Sequence, residues 1–282
     1  MKKYFLLLLF VSLGLLAQNQ RFIYEYQFKT DSTKLDSAKS EIMYLDVSKK
    51  GSKFYSVDKF KADSTIDARQ KNNPNQPNFS GIKFGQINTV VEKTYPEYKV
   101  ALFDFIEINN YMVSDDRKMN WKILNEKEKI GEFETQKAET FIYARKWTAW
   151  FTTEIPIQDG PYKFHGLPGM IVKVADSKNT HVFELKAIKK LSQSDVWKSE
   201  ADRTNLMKVV KVDEKQFKKI FLEHRENPTK GIRQMLASGA KVMMTGKDGQ
   251  VIDIEENLRQ QERTQKEENK RNNNLLELDL LK

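Results

Sequence analysis

The chain has 282 residues, no cysteine, and a formal net charge of +9 from 48 basic and 39 acidic side chains. Without cysteine there is no disulfide, no thiolate metal site and no cysteine nucleophile. The basic residues mostly alternate with acids instead of clustering on one element. That pattern argues against a nucleic-acid face and leaves a solvated, mixed-charge surface, with weak attraction to an anionic membrane as the alternative.

At the start, Lys2 and Lys3 precede an apolar run over 5–16, with Ala17 as a small residue at its end. This is the layout of a secretory signal peptide over 1–17, and the run is too short to span a bilayer comfortably. An uncleaved anchor is the alternative. With no cysteine near the junction, lipid attachment through an N-terminal cysteine is excluded, and no later stretch is apolar enough to cross a membrane. The expectation is an exported protein, periplasmic or associated with the outer membrane. The roughly 265 residues that follow suffice to bury a core without staples.

Strand signals come next. Residues 22–28 alternate, with Phe22, Tyr24, Tyr26 and Phe28 on one face. Stretches 41–47 and 53–57 flank Lys49-Lys50-Gly51-Ser52, which reads as a hairpin turn. Residues 61–80, with the Asn/Pro-rich piece 72–78 at their centre, read as a mobile polar loop. Further strands are expected at 88–95, 99–108, 120–125, 133–143, 147–154, 170–175 and 181–188. Asp176-Ser177-Lys178-Asn179 turns the chain between the last two, and the charge pattern of 123–129 suits a helical turn equally. Strands joined by short turns without helical crossovers favour an antiparallel meander.

After residue 195 the pattern becomes helical. Asp213 with Gln216 forms a capping-box layout, Phe217, Ile220, Phe221 and His224 share one helical face, and Asn227-Pro228 ends the segment. A short helix is expected over 230–236, and 241–245 with 250–254 flank the hairpin signal Lys247-Asp248-Gly249. From 255 to 274 the chain is almost wholly charged or amide-bearing, ending in an apolar patch over 275–281. The expected organisation is therefore one antiparallel-β-rich domain over 18–254 with helices near 213–236, then a polar, helical or disordered tail over 255–282. The fold class is α+β, mainly antiparallel β, as a single curved sheet or half-open barrel with late helices.

The stretch 155–171 holds three of the seven prolines and three of the twelve glycines, so its path is specified residue by residue. Gly160, Pro161, Gly166, Pro168 and Gly169 are its structural residues. Asp159-Gly160-Pro161 reads as a tight turn with Tyr162 and Phe164 plugging the sheet. Alternatively, Tyr162, Phe164 and Leu167 form a rim over an apolar cavity or a docking lip. Trp147 and Trp150 have opposite parity, so one of them faces outward, either into a contact surface or beneath a covering helix. Arg145 and Lys146 sit at a hairpin tip, as a surface turn or as a clamp for a carboxylate or phosphate.

Several blocks in this region carry a resemblance. Phe133-Glu134-Thr135-Gln136-Lys137-Ala138, Ala144-Arg145-Lys146-Trp147-Thr148-Ala149-Trp150-Phe151-Thr152, Glu154-Ile155-Pro156-Ile157, Asp159-Gly160-Pro161-Tyr162-Lys163-Phe164 and Gly166-Leu167-Pro168-Gly169-Met170-Ile171 together resemble the GLPGLI family of exported Bacteroidota proteins. Met170 stands where that family has leucine, a volume-conserving change. The resemblance implies a cell-envelope location and carries no established activity. At the level of architecture, the reading is also similar to the lipoprotein-carrier fold of the bacterial periplasm, in which a half-open barrel wraps an apolar ligand; likeness of fold transfers function poorly.

Catalytic signals are thin. His165, His181 and His224 lack metalloprotease spacing, and no Gly-x-Ser-x-Gly elbow or phosphate-cradling loop occurs. No catalytic residue, metal site or cofactor is assigned, although His165, or Glu154 with Asp159, would be the candidates for a hydrolase. The sequence therefore points to an envelope binding or chaperone-like module. Its expected partner is an apolar small molecule or lipid, or an extended segment of another envelope protein, with Trp147, Trp150, Tyr162, Phe164, His165 and Leu167 as contact candidates. The alternative is an interaction subunit of an outer-membrane transport or secretion assembly, pairing through the 275–281 patch.

Overall fold

The computed structural model describes residues 19–73, 80–192, 197–202, 209–239 and 253–282. The expected signal segment, the core of the Asn/Pro-rich piece, and almost all of the hairpin expected over 241–254 lie outside these residues.

Twelve strands form one sheet. The first meander comprises β1 (Gln20–Phe28), β2 (Lys39–Ser48), β3 (Gly51–Ser56), β4 (Val90–Thr94), β5 (Lys99–Ile106) and β6 (Asn109–Asp115). The second comprises β7 (Lys122–Ile130), β8 (Phe133–Ile142), β9 (Arg145–Thr152), β10 (Met170–Asp176) and β11 (His181–Lys190). The two are sewn together where β1 pairs with β11 antiparallel, from Gln20 opposite Lys190 to Phe28 opposite His181. Strand β12 (Val209–Asp213) then adds to β6, giving the order β12-β6-β5-β4-β3-β2-β1-β11-β10-β9-β8-β7. The two end strands do not pair, so the curved sheet stays open.

Alternation explains which face is buried. Phe22, Tyr24, Tyr26 and Phe28 of β1 all point into a core shared with Met43, Leu45, Phe54, Leu102, Trp147, Val174 and Phe183. One apolar cluster thus draws on β1–β6 and β8–β11 together, which requires the sheet to curve around it. A smaller cluster of Tyr55, Val90 and Phe103 occupies the outer face. There the Phe60 ring of α1 (Val57–Asn72) lies 5.7 Å from that of Tyr55.

Helix α1 replaces much of the loop expected over 61–80. Ser56 caps it by accepting from the backbone N–H groups of Asp58 and Lys59, Asp58 lies in the first turn, and Arg69 and Lys71 lie in the last. The helix buries only Ala62 fully, so it has little apolar periodicity to announce it.

Two strands also escape the sequence pattern. In β6, Val113 is the one apolar residue that is fully buried, so alternation is faint. Strand β12 pairs with β6 in parallel, from Val209 beside Asn110 to Asp213 beside Ser114, within a sheet that is mainly antiparallel as expected. The ambiguous stretch 123–129 belongs to β7, an edge strand whose exposed lysines and glutamates discourage further pairing.

The late helices follow their caps. Helix α2 (Glu214–Glu226) begins at Asp213 with both halves of the capping box formed, and Asn227 closes it. Helix α3 covers Lys230–Ala237, and α4 (Ile254–Arg271) is a long polar helix that fully buries only Leu258. The last eleven residues are not a free tail. Leu276 and Leu280 pack against the main core, and Asn274 and Glu277 are buried.

A candidate ligand-binding cavity

The Gly-Pro loop is held from beneath by one buried cation. Lys93, inward on β4, is fully buried and its Nζ donates to the carbonyls of Gly160 (2.7 Å), Tyr162 (2.9 Å) and Phe164 (3.3 Å). Its ion partner is Asp159, which also accepts from Ser52 Oγ at 2.6 Å and from the Tyr95 hydroxyl. Burial pulls the Lys93 ammonium below its ordinary pKa, and the Asp159 charge opposes that. At Gly169 a Cβ would collide with the Thr152 carbonyl, and Gly166 takes φ +90°, so these two positions require glycine.

Phe164 and Leu167 of the loop are core rather than rim. Phe164 is fully buried and meets the Trp147 ring edge-on at 4.8 Å, with Tyr143 at 6.3 Å and Phe183 at 6.5 Å. Leu167 is buried as well. His165 stacks on Tyr98 at 5.3 Å, and its Nδ1 donates to the Lys163 carbonyl at 2.8 Å. No carboxylate is among its hydrogen-bond partners in the described residues. Trp147 faces inward and Trp150 outward, as their parity requires. Glu154 and Asp159, paired in the sequence reading, have separate surroundings: Glu154 accepts from the Glu134 N–H, and Asp159 belongs to Lys93.

For Arg145 the surface-turn expectation fails and the carboxylate-clamp alternative holds. Arg145 shares the inward parity of Trp147, Ala149 and Phe151 and is buried, whereas Lys146 turns outward to Glu139 at 3.0 Å. The Arg145 guanidinium bonds Asp176 at 2.8 Å and the Asn274 side chain at 2.6 Å, and also reaches the Leu275 and Leu276 carbonyls. It therefore clamps the chain's own C-terminal segment.

Two further groups hold that segment. His181 accepts from the Tyr26 hydroxyl at Nδ1 (2.7 Å) and donates from Nε2 to the Asn274 carbonyl (3.0 Å), a carbonyl being able only to accept. Burial and the nearby Arg145 push the imidazole down to about 4, so it stays neutral. Glu277 pairs with Lys163 at 2.6 Å and Arg117 at 2.7 Å and accepts from the Tyr162 hydroxyl; Asp279 meets Arg117 at 2.8 Å. Burial opposes ionisation of Glu277, yet Lys163 and Arg117 hold its carboxyl below the ordinary value.

Between this segment, α2 and the inner face of the sheet lies a cavity of about 670 Å³, within the range that holds small-molecule ligands. Its apolar lining is Tyr26, Phe28, Met43, Phe54, Leu102, Tyr162 and Phe183 from the sheet and loop, Phe217 and Phe221 from α2, and Leu275, Leu276 and Leu280; Thr30, Asp31, Gln86, Asn88, Thr89, His181, Asn272, Asn274 and Glu277 add polar groups. Lys34, Lys39, Glu268 and Arg271 stand at its exposed rim. Of the contact candidates expected from the sequence, only Tyr162 lines it.

Asp104 also lines this cavity. On β5 it shares a face with the buried Val100, Leu102 and Ile106 and is itself half-buried, one carboxyl in an otherwise apolar inward row. Among the described residues no side chain hydrogen-bonds it. Burial raises its pKa from 3.8 to about 7; the Phe105 N–H and the charge of Lys163 only partly oppose this. The charged position in this otherwise apolar inward row is the signal that could have found it.

A family model described as a protein of unknown function (Porph_ging) matches residues 109–173. That stretch runs from β6 into β10 and contains the whole Gly-Pro loop. The solved structures of PNGF-II in two crystal forms are 17% identical to this chain, with TM-scores of 0.52 and 0.51. They align with 74% of this chain but only 34% of their own, so the chain spans about a third of their length and shares a fold with that part. No curated protein matches the chain.

The raised pKa has a sign that can be tested. Between 3.8 and about 7 the folded protein holds the Asp104 proton more firmly than the unfolded chain, so stability falls as pH rises through that window. Asp104→Asn is expected to stabilise the protein at pH 8 by about 2–4 kcal/mol, the lower figure allowing for solvent reaching the carboxylate. At pH 3 the gain should vanish. His181, Glu277, Tyr26 and Tyr162, the other ionisable groups on the inner wall, are common to both proteins and cancel in the comparison. Urea midpoints at the two pH values measure it, and a stability gap independent of pH would refute the assignment.

Proposed function

We propose that this protein is an exported binding module of the cell envelope whose interior cavity takes an apolar or amphiphilic small molecule. The observation that carries this reading is the half-open 670 Å³ space in which aromatic and leucine side chains converge from the sheet, α2 and the C-terminal segment. The signal-like residues 1–17 and the resemblance of the Gly-Pro region to the GLPGLI family support the location. Packing of Leu276 and Leu280 into the chain's own core weighs against the rival reading, in which that patch pairs with a partner.

Native mass spectrometry on protein purified gently from its own envelope fraction tests the reading. The expected result is a stoichiometric small-molecule adduct on the natural protein. It should be lost when Leu102→Trp fills the cavity from the sheet or Leu280→Trp fills it from the C-terminal side. A bare mass for the natural protein, or an adduct retained by both folded variants, would overturn the proposal.

A further inference from the structure

We propose that Asp104 is the polar anchor of the cavity and that the occupant is an amphiphile carrying a protonated amine head. The inference rests on the binding role proposed above and names the chemistry of the ligand.

Other buried charges of the inner face are satisfied: the Glu41 carboxylate accepts from Ser56 Oγ and from the Gln86 and Ile87 N–H groups, and the cations have carboxylate partners. Lys93 has Asp159, Arg145 has Asp176, and Lys163 has both Asp115 and Glu277. Asp104 is different: half-buried on the cavity wall, it makes no ion pair and takes no side-chain hydrogen bond among the described residues. Lys163 cannot serve as its counter-ion, since its ammonium is held by Asp115 at 2.8 Å and Glu277 at 2.6 Å.

A lone inward carboxyl costs stability and contributes no packing that leucine would not supply better. Such a group is expected where a ligand completes it. The complement of a carboxylate in a poorly solvated wall is a cationic donor, which forms a short charge-assisted bond and restores the solvation lost on burial. A carboxylate head would place two acids together, and a simple alcohol would offer only a neutral bond. The position of Asp104 beside Leu102 leaves the apolar body of such a ligand to lie along Met43, Phe54 and the C-terminal leucines.

Calorimetric titration of the full chain with dodecylamine, dodecanol and dodecanoate, each below its aggregation threshold, tests this. Dodecylamine should bind roughly tenfold or more tightly than the other two, and Asp104→Asn should bring it to the dodecanol level without weakening dodecanol. Asp104→Ser gives a second reading of the same effect. Equal binding of amine and alcohol, or an amine preference that survives both substitutions, would overturn the anchor and leave the cavity reading standing. Failure of every probe to bind the natural protein would overturn the cavity reading, and the anchor with it.

Discussion

Lys93→Ala is expected to cost about 3–5 kcal/mol, because it strands the buried Asp159 carboxylate. It also removes the donor shared by three loop carbonyls, each of which then lies unsatisfied away from water. Domains of this kind have net stabilities of about 5–15 kcal/mol, so the change consumes a large part of the total. Asp159→Ala should do comparable harm from the other side. The control is Lys137→Ala, whose partner Glu126 is 3.6 Å away and more than half exposed; such surface pairs are worth about 0–1 kcal/mol. Urea unfolding of the three variants measures the difference. A Lys93→Ala midpoint no lower than that of Lys137→Ala would contradict the role assigned to this pair.

Ending the chain at Asn272 should have an effect of similar size. Lys163 and Arg145 would each keep only one carboxylate, Asp115 or Asp176, inside a core that had lost its cover. Loss of Glu277 leaves buried charge poorly compensated, which costs about 3–5 kcal/mol. Loss of Leu276 and Leu280, both partly buried, adds about 1 kcal/mol each. The shortened protein should show a much lower unfolding midpoint and bind an apolar dye through the opened core. Glu277→Gln should fall between it and the natural protein. A truncated chain with an unchanged midpoint would show that the segment merely rests on the surface.

Much of this architecture was legible because inward and outward residues alternate cleanly. Phe22, Tyr24, Tyr26 and Phe28 declared β1, and the opposed parity of Trp147 and Trp150 declared that one ring would face outward without saying which. The capping box at Asp213 and Gln216 located α2 to the residue. The misses have equally physical causes. Helix α1 buries one alanine, so its periodicity is nearly silent, and β6 carries a single fully buried apolar residue.

The site was harder to read than the fold. The loop's rings were legible as plugs of the sheet, but the alternative reading as a cavity rim placed Phe164 and Leu167 where the structure has core. What builds the cavity is long-range: Arg145 meets Leu275 across 130 residues, and Lys93 meets Gly160 across 67. Partners so far apart leave no periodic trace. Asp104 was within reach of the sequence, since strand 99–106 alternates well enough to show that its third inward position is charged. That break in an apolar row is the kind of local inconsistency that marks a working residue.

The claim at the centre of this account is that the space between the sheet, α2 and the C-terminal segment accepts a ligand. Methyl NMR of the full chain during titration with dodecylamine tests it most directly. The account expects saturable shifts at Met43, Leu102, Leu276 and Leu280, with Leu35 and Val210, which are exposed, left unmoved. Shifts confined to exposed methyls, or none at saturating probe, would contradict it.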